Sequence, residues 1–219
     1  MFLRIKICCI SSIAEARMAI EYGAAALGLV SHMPSGPGVI AEDVIASIAA
    51  TVPPPVATFL LTSRQDPQEI IGQQQRTGVG TIQLCDRLAD TSYGILRRAL
   101  PGIRLVQVIH VNGEASLIEA RRVAPSVDAL LLDSGNQSLP VKELGGTGRV
   151  HDWEISRRIR DSAGVPIFLA GGLTSENVLR AIEQVRPFGL DVCSGVRTGG
   201  SLDPERLASF VAAARAWQG

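Results

Sequence analysis

VPIFLAGGLTSENVLRAIEQVRPFGLDVCSGV, residues 165–196, contains the repeating unit of the fold. Pro166–Ala170 is a short apolar run closed by glycines, which predicts a buried strand rather than a helix. Residues 175–185 then carry apolar positions at helical spacing, and Leu190–Cys193 is a second strand. Two strands joined by a helix of this length pair in parallel through a right-handed crossover. Each strand runs into a glycine loop, Ala170-Gly171-Gly172-Leu173 and then Cys193-Ser194-Gly195-Val196.

Outward from this unit the same alternation covers the chain. Further strands are predicted at Leu3–Cys8, Ala25–Val30, Val56–Leu61, Thr81–Cys85, Arg104–His110 and Ala129–Asp133. Helical patterns fall at about 12–22, 41–51, 67–77, 90–99, 114–123, 153–163 and 204–217. Ser12 with Glu15 makes a capping box, and Asp66-Pro67 and Asp203-Pro204 set a capping carboxylate before a proline at the first helical position. Eight strand–helix units in 219 residues predict a (β/α)8 TIM barrel, with residues 1–219 forming a single domain. The competitor, a doubly wound open sheet, lacks its dinucleotide signature: Cys8-Cys9-Ile10-Ser11 follows the first strand where a G-x-G-x-x-G would stand.

Composition narrows the partners. Apolar residues make up 46% of the chain, and 21 basic residues balance 21 acidic ones. A nucleic-acid or membrane-surface protein needs a basic excess or stripe, so neither partner is expected. The N-terminus MFLRIKICCI has no signal-peptide pattern, and no apolar run approaches the roughly 20 residues of a membrane span, so a cytoplasmic protein is expected. Cys8, Cys9, Cys85 and Cys193 have no paired C-x-x-C spacing, and no metal is expected. Adjacent strand residues face opposite ways, so Cys8 and Cys9 are not expected to share a site.

In a barrel of this kind chemistry belongs at the C-terminal strand ends, with phosphate held after strands seven and eight. The loops at Gly171-Gly172 and Ser194-Gly195 lie there and offer main-chain N–H groups to an anion. The long segment 134–152, with Gly145-Gly146-Thr147-Gly148, is read as cover or ligand contact; Gly146 and Gly148 are its candidate residues. Strand parity sets Leu3, Ile5 and Ile7 under the helices, Lys6 inside the barrel and Cys8 at its mouth. Asp191 shares the inward parity on the last strand, the neighbour of the first after closure. Lys6 and Asp191 are therefore expected to pair, with Gln83 joining them, because an isolated buried charge is costly. Asp133, ending the run Ala129-Leu130-Leu131-Leu132, is poorly explained by packing and is a candidate site carboxylate. Cys85 and Cys193 fit either core or mouth. His110 is expected to be held by backbone, His32 and His151 to be solvated, and Trp153 to staple a helix start.

Taken in order, Lys6-Ile7-Cys8, Gly23-Ala24 with Leu27-Gly28-Leu29-Val30, Gln83-Leu84, Leu131-Leu132-Asp133, Gly145-Gly146-Thr147-Gly148 with Asp152-Trp153, Ala170-Gly171-Gly172-Leu173 with Glu176-Asn177-Val178, and Asp191-Val192 with Ser194-Gly195-Val196 resemble the phosphoribosylanthranilate isomerase family of tryptophan biosynthesis. The resemblance implies an Amadori rearrangement of a small phosphorylated substrate without metal or organic cofactor, by a monomer or homodimer. It implies that Asp133 is the general acid and Cys8 the general base, and that the glycine loops bind and cover the phosphate. The chain departs from the family pattern in three places. Cys9 stands for a glycine, Cys85-Asp86 for His-Gly, and Gly38 for an arginine that binds the anthranilate carboxylate. Arg64 and Arg149 are the candidates to take over that last contact. A paralogue acting on another phosphosugar, or a non-catalytic phospho-ligand binder, are the alternative readings.

Overall fold

The computed structural model describes residues 3–217 and consists of a closed parallel barrel ringed by helices. The strands are β1 (Arg4–Ile7), β2 (Ala26–Val30), β3 (Ala57–Thr62), β4 (Thr81–Leu84), β5 (Arg104–His110), β6 (Ala129–Asp133), β7 (Ile167–Leu169) and β8 (Gly189–Val192). The helices are α1 (Ile13–Glu21), α2 (Glu42–Ala49), α3 (Pro67–Thr77), α4 (Asp90–Ala99), α5 (Glu114–Val123), α6 (Trp153–Ser162), α7 (Val178–Val185) and α8 (Pro204–Arg215). Strands pair in chain order, and β1 closes the sheet against β8 with Lys6 opposite Asp191. One feature was not anticipated: Ser194–Val196 forms a 3-10 turn, followed by a two-residue antiparallel pair, β9 (Arg197–Thr198) with β10 (Ser201–Leu202).

Helix starts follow their capping chemistry. Asp66, Asp152 and Asp203 each accept a backbone N–H from the first turn of α3, α6 and α8. At α1, Ser12 Oγ accepts from Glu15 N at 3.1 Å, but the return bond from Glu15 goes to Ser11 N at 2.9 Å rather than to the cap residue itself. The reason lies elsewhere in the fold: Glu15 is also drawn to Leu202 N and to Arg197, so its carboxylate leans toward β10.

The strand period of two divides the apolar residues into two cores. Ile5, Ile7, Leu27, Leu29, Leu60 and Leu190 face outward and pack beneath the helices. Ala26, Val30, Phe59, Val106, Leu131 and Phe168 face inward and fill the barrel, with Cys8 and Cys85 above them. Lys6 is fully buried at 0% exposure and points inward, where its ammonium meets Asp191 and lies 5.3 Å from the centre of the Phe59 ring. Room for that ammonium comes from Gly28 on β2. A Cβ there would stand 2.9 Å from Cys8 Sγ and 3.0 Å from Lys6 Nζ.

Gly28→Ala is therefore expected to lower stability by about 1–3 kcal/mol, the usual cost of overfilling a packed interior. Urea unfolding at neutral pH measures it. A variant as stable as the parent would mean that Lys6 and Cys8 are not confined against β2.

Candidate active site

The C-terminal ends of the strands open onto a cavity lined by residues from the loops after β1, β2, β4, β6, β7 and β8. Cys8, Gln83, Asp133, Gly146, Gly148, Gly171, Gly172, Asp191 and Ser194 all line it. Gly195 does not. It sits behind the wall, and the space its Cβ would need is filled by the Leu173 carbonyl, so glycine there serves close packing of the β7 and β8 loops.

Beneath the cavity Lys6 Nζ donates to Asp191 Oδ1 at 2.8 Å. Burial disfavours the ammonium, but the Asp191 carboxylate and then the Cys8 sulfur outweigh it, and Lys6 is held protonated well above the ordinary lysine range. Burial, the largest influence, leaves Asp191 above its ordinary carboxylate range even though Lys6 draws it down. Gln83 does not join this pair. Its amide nitrogen turns to Cys85 Sγ at 3.8 Å, and its carbonyl oxygen is buried without a partner.

Asp133 ends β6 with its carboxylate at the mouth. Oδ1 accepts from Ser134 N at 2.7 Å, which fixes the carboxylate plane. Glycine is required beside both oxygens: a Cβ at Gly145 would lie 2.6 Å from Oδ2, and one at Gly171 would lie 3.3 Å from Oδ1. The segment 134–152 folds over this carboxylate. Ser134 and Thr147 hydroxyls meet at 2.6 Å, Asn136 bridges Glu143, and Lys142 reaches Asp86 at 2.5 Å. Gly145, Gly146 and Gly148 have φ of +126°, +67° and +67°, a region where a Cβ is strained.

Cys9 and His151 also depart from expectation. Cys9 lines the same cavity as Cys8, although alternation along a strand would separate them. β1 has already ended at Ile7, and Cys9 adopts φ +61°, which swings its side chain back toward β8. His151 is not solvated. Its Nε2 meets Ser156 Oγ at 2.8 Å, and Nδ1 is buried without a partner, facing the same side of Gly171 as Asp133 Oδ1. Burial pushes its pKa down to about 4, against a weaker upward pull from Asp133 and Asp152. His110 meets the Cys85 carbonyl at 3.1 Å, and the Trp153 ring packs in the outer core under Arg180.

Arg197 beside the site had no mark in the sequence, and Glu15, read there only as part of a helix cap, is its partner. Arg197 donates to the carbonyls of Cys8 at 3.2 Å and Cys9 at 2.5 Å and pairs with Glu15 at 2.9 Å. It thereby clamps the backbone that carries the Cys8 thiol. Nothing local marks it, because it follows an unremarkable turn far along the chain. Arg64 and Arg149 pair instead with Glu69 and Glu143, and neither lines the cavity. Among the described residues, no lysine or arginine lines the cavity, no group of side chains is arranged to hold a metal ion, and no helix is long and apolar enough to cross a membrane.

Comparison with known proteins gives a consistent result. A family model described as N-(5'phosphoribosyl)anthranilate (PRA) isomerase matches residues 5–213. N-(5'-phosphoribosyl)anthranilate isomerase 2 of Methanosarcina mazei is 36% identical over 211 residues, covering 95% of this chain and 92% of its own. The isomerase of Desulforudis audaxviator is 37% identical over 212 residues, covering 96% and 97%. Among solved structures, phosphoribosyl anthranilate isomerase from Thermococcus kodakaraensis superposes with a TM-score of 0.83 at 27% identity, covering 100% of both chains. A phosphoribosyl anthranilate isomerase in complex with reduced 1-(o-carboxyphenylamino)-1-deoxyribulose 5-phosphate superposes with a TM-score of 0.82 at 25% identity, covering 99% of this chain and 100% of its own.

His151 makes the site sensitive to acid. Its imidazole titrates near 6.5 when unfolded and near 4 when folded, so the unfolded state binds the extra proton between those values. The contribution is complete above pH 6.5 and lost as pH falls toward 4. Urea unfolding at pH 7 and pH 4.5 should show His151→Gln losing less stability on acidification than the parent, by up to roughly 3 kcal/mol. Equal losses would mean that His151 is hydrated and titrates normally.

Proposed function

The chain belongs to the phosphoribosylanthranilate isomerase family, and on that premise we propose how its own residues carry the reaction. It is an isomerase of tryptophan biosynthesis that converts N-(5-phosphoribosyl)anthranilate to 1-(o-carboxyphenylamino)-1-deoxyribulose 5-phosphate. The single observation that carries the assignment of roles is that Cys8 and Asp133, 125 positions apart in the sequence, line one cavity together with glycine loops after β6, β7 and β8.

The substrate phosphate binds main-chain N–H groups of the loops around Gly146, Gly148, Gly171, Gly172 and Ser194, with Gly195 supporting from behind. Asp133, as a carboxylic acid, protonates the ribose ring oxygen. The C1–O bond breaks, and the amine lone pair forms the Schiff base. Cys8, as a thiolate, then removes the proton from C2, and the electrons of that C–H bond neutralise the iminium to give the enolamine. Ketonisation yields the product with no net gain or loss of atoms. Lys6 presents a permanent positive charge beside the sulfur, and Arg197 holds the backbone on which the sulfur is carried. We read the chain as a cytoplasmic enzyme of one domain over residues 1–219, working as a monomer or homodimer without a cofactor.

One observation favours a second reading. The cavity wall near Gly38 is lined by Val30, Met33 and Pro37, and no lysine or arginine reaches it among the described residues. An aglycone without a carboxylate would suit that wall, as in a paralogue acting on another aminosugar phosphate.

Turnover of phosphoribosylanthranilate by purified protein separates these readings. Wild type should convert it, and Cys8→Ala and Asp133→Asn should each lower kcat by about 10²–10⁴-fold, the range for losing a general base or acid. Full activity in either variant would reject its role. Inactive wild type that still binds a phosphosugar would move the assignment to the paralogue.

A further inference from the structure

Three thiols from two distant segments meet at the mouth of the barrel. Cys9 Sγ and Cys193 Sγ lie 2.8 Å apart, and Cys8 is the next residue to Cys9. Both Cys9 and Cys193 are free thiols that line the cavity, so a small solute entering it reaches them. We propose that Cys9 and Cys193 are an oxidation site, forming a reversible disulfide just beyond the β1–β8 seam when a two-electron oxidant enters the cavity.

The surrounding backbone is shaped for the Cys9 side chain. A residue with a Cβ at φ +61° is strained, and glycine would hold that conformation without cost. Across the gap, Gly38 is kept without a side chain, since its Cβ would lie 2.5 Å from Cys9 Cβ and 2.9 Å from Cys9 Sγ. The loop after β2 thus leaves its volume to the Cys9 thiol. The strain and the vacated space serve one end, which is to hold Cys9 Sγ against Cys193 Sγ. Closing the disulfide requires the sulfurs to approach from 2.8 Å to about 2 Å, at positions just beyond the last paired strand residues, Ile7 and Val192.

Charge assigns the order of events. The hydrogen-bonded contact with Cys9, with the Arg197 guanidinium next, pulls Cys193 below the ordinary thiol range against its burial. Cys9 is pushed up by the hydrogen bonds to Cys193 and Cys8 and by burial, and keeps its proton. With hydrogen peroxide as oxidant, the Cys193 thiolate attacks one peroxide oxygen, the O–O bond breaks, and sulfenic acid and hydroxide form. Cys9 sulfur then attacks the Cys193 sulfur, the S–O bond breaks, and the leaving hydroxide takes up the Cys9 proton as water. Two thiols lose two electrons and two protons, and one peroxide becomes two waters. A dithiol reductant reverses the step by exchange. The inference does not depend on the reaction that the cavity catalyses.

The test treats the purified full chain with sub-stoichiometric hydrogen peroxide, blocks remaining thiols with an alkylating reagent, and maps peptides without reduction. The expected product joins the peptide containing Cys8 and Cys9 to the one containing Cys193, and dithiothreitol releases it. Cys8→Ser should still give the link, and Cys9→Gly, which removes the backbone strain and so keeps the fold, should abolish it. A link that survives Cys9→Gly, or oxidation of Cys8 while Cys9 and Cys193 remain alkylatable, would overturn the proposal.

Discussion

The buried ion pair between Lys6 and Asp191 is the constraint on which the site rests. A lysine at 0% exposure is tolerated only because a carboxylate meets it at 2.8 Å and an aromatic face lies below. These two residues stand opposite each other where the first and last strands close the barrel, so the charge pair and the closure are one event. The direction Lys6 takes fixes that of Cys8 two residues on, and Gly28 on the neighbouring strand leaves space for both. A fold-level requirement, satisfying a buried charge, therefore aims a thiol at the cavity.

The same economy holds at the other strand ends. Asp133 ends an otherwise apolar strand, and Gly145 and Gly171 keep the loops close enough to cover it without a side chain intruding. On the first strand, Arg197 does from the far end of the chain what local hydrogen bonding cannot. It binds the carbonyls that follow β1 while Glu15 holds its charge, so α1, the β1 end and the β9–β10 pair are one assembly.

Most of the fold is legible in the sequence because period and punctuation carry it. The strands at Arg104–His110 and Ala129–Asp133 are bounded by turn residues and have the predicted ends, and the inward parity of Lys6 and Asp191 follows from counting by two. What was not legible depends on long-range placement. Cys9 departs from strand alternation because its φ is positive, which the cysteine itself does not signal and only the glycine of the family pattern at that position hints at. His151 is desolvated by a covering segment whose path has no periodicity, and Arg197 acts through a turn that joins residues more than a hundred positions apart. Gln83 fails to reach the ion pair because parity gives a face and not a distance.

The central claim is that one bound sugar is shared by a thiol from β1 and a carboxylate from β6 beside an anion cradle of main-chain amides. A crystal structure of this chain with reduced 1-(o-carboxyphenylamino)-1-deoxyribulose 5-phosphate tests it most directly. The account predicts the phosphate on the amides of the loops after β6, β7 and β8, with Cys8 Sγ and an Asp133 oxygen each within about 3.5 Å of the sugar, the reach of a reacting pair. A sugar that contacts only one of them, or a phosphate bound away from those loops, would contradict it.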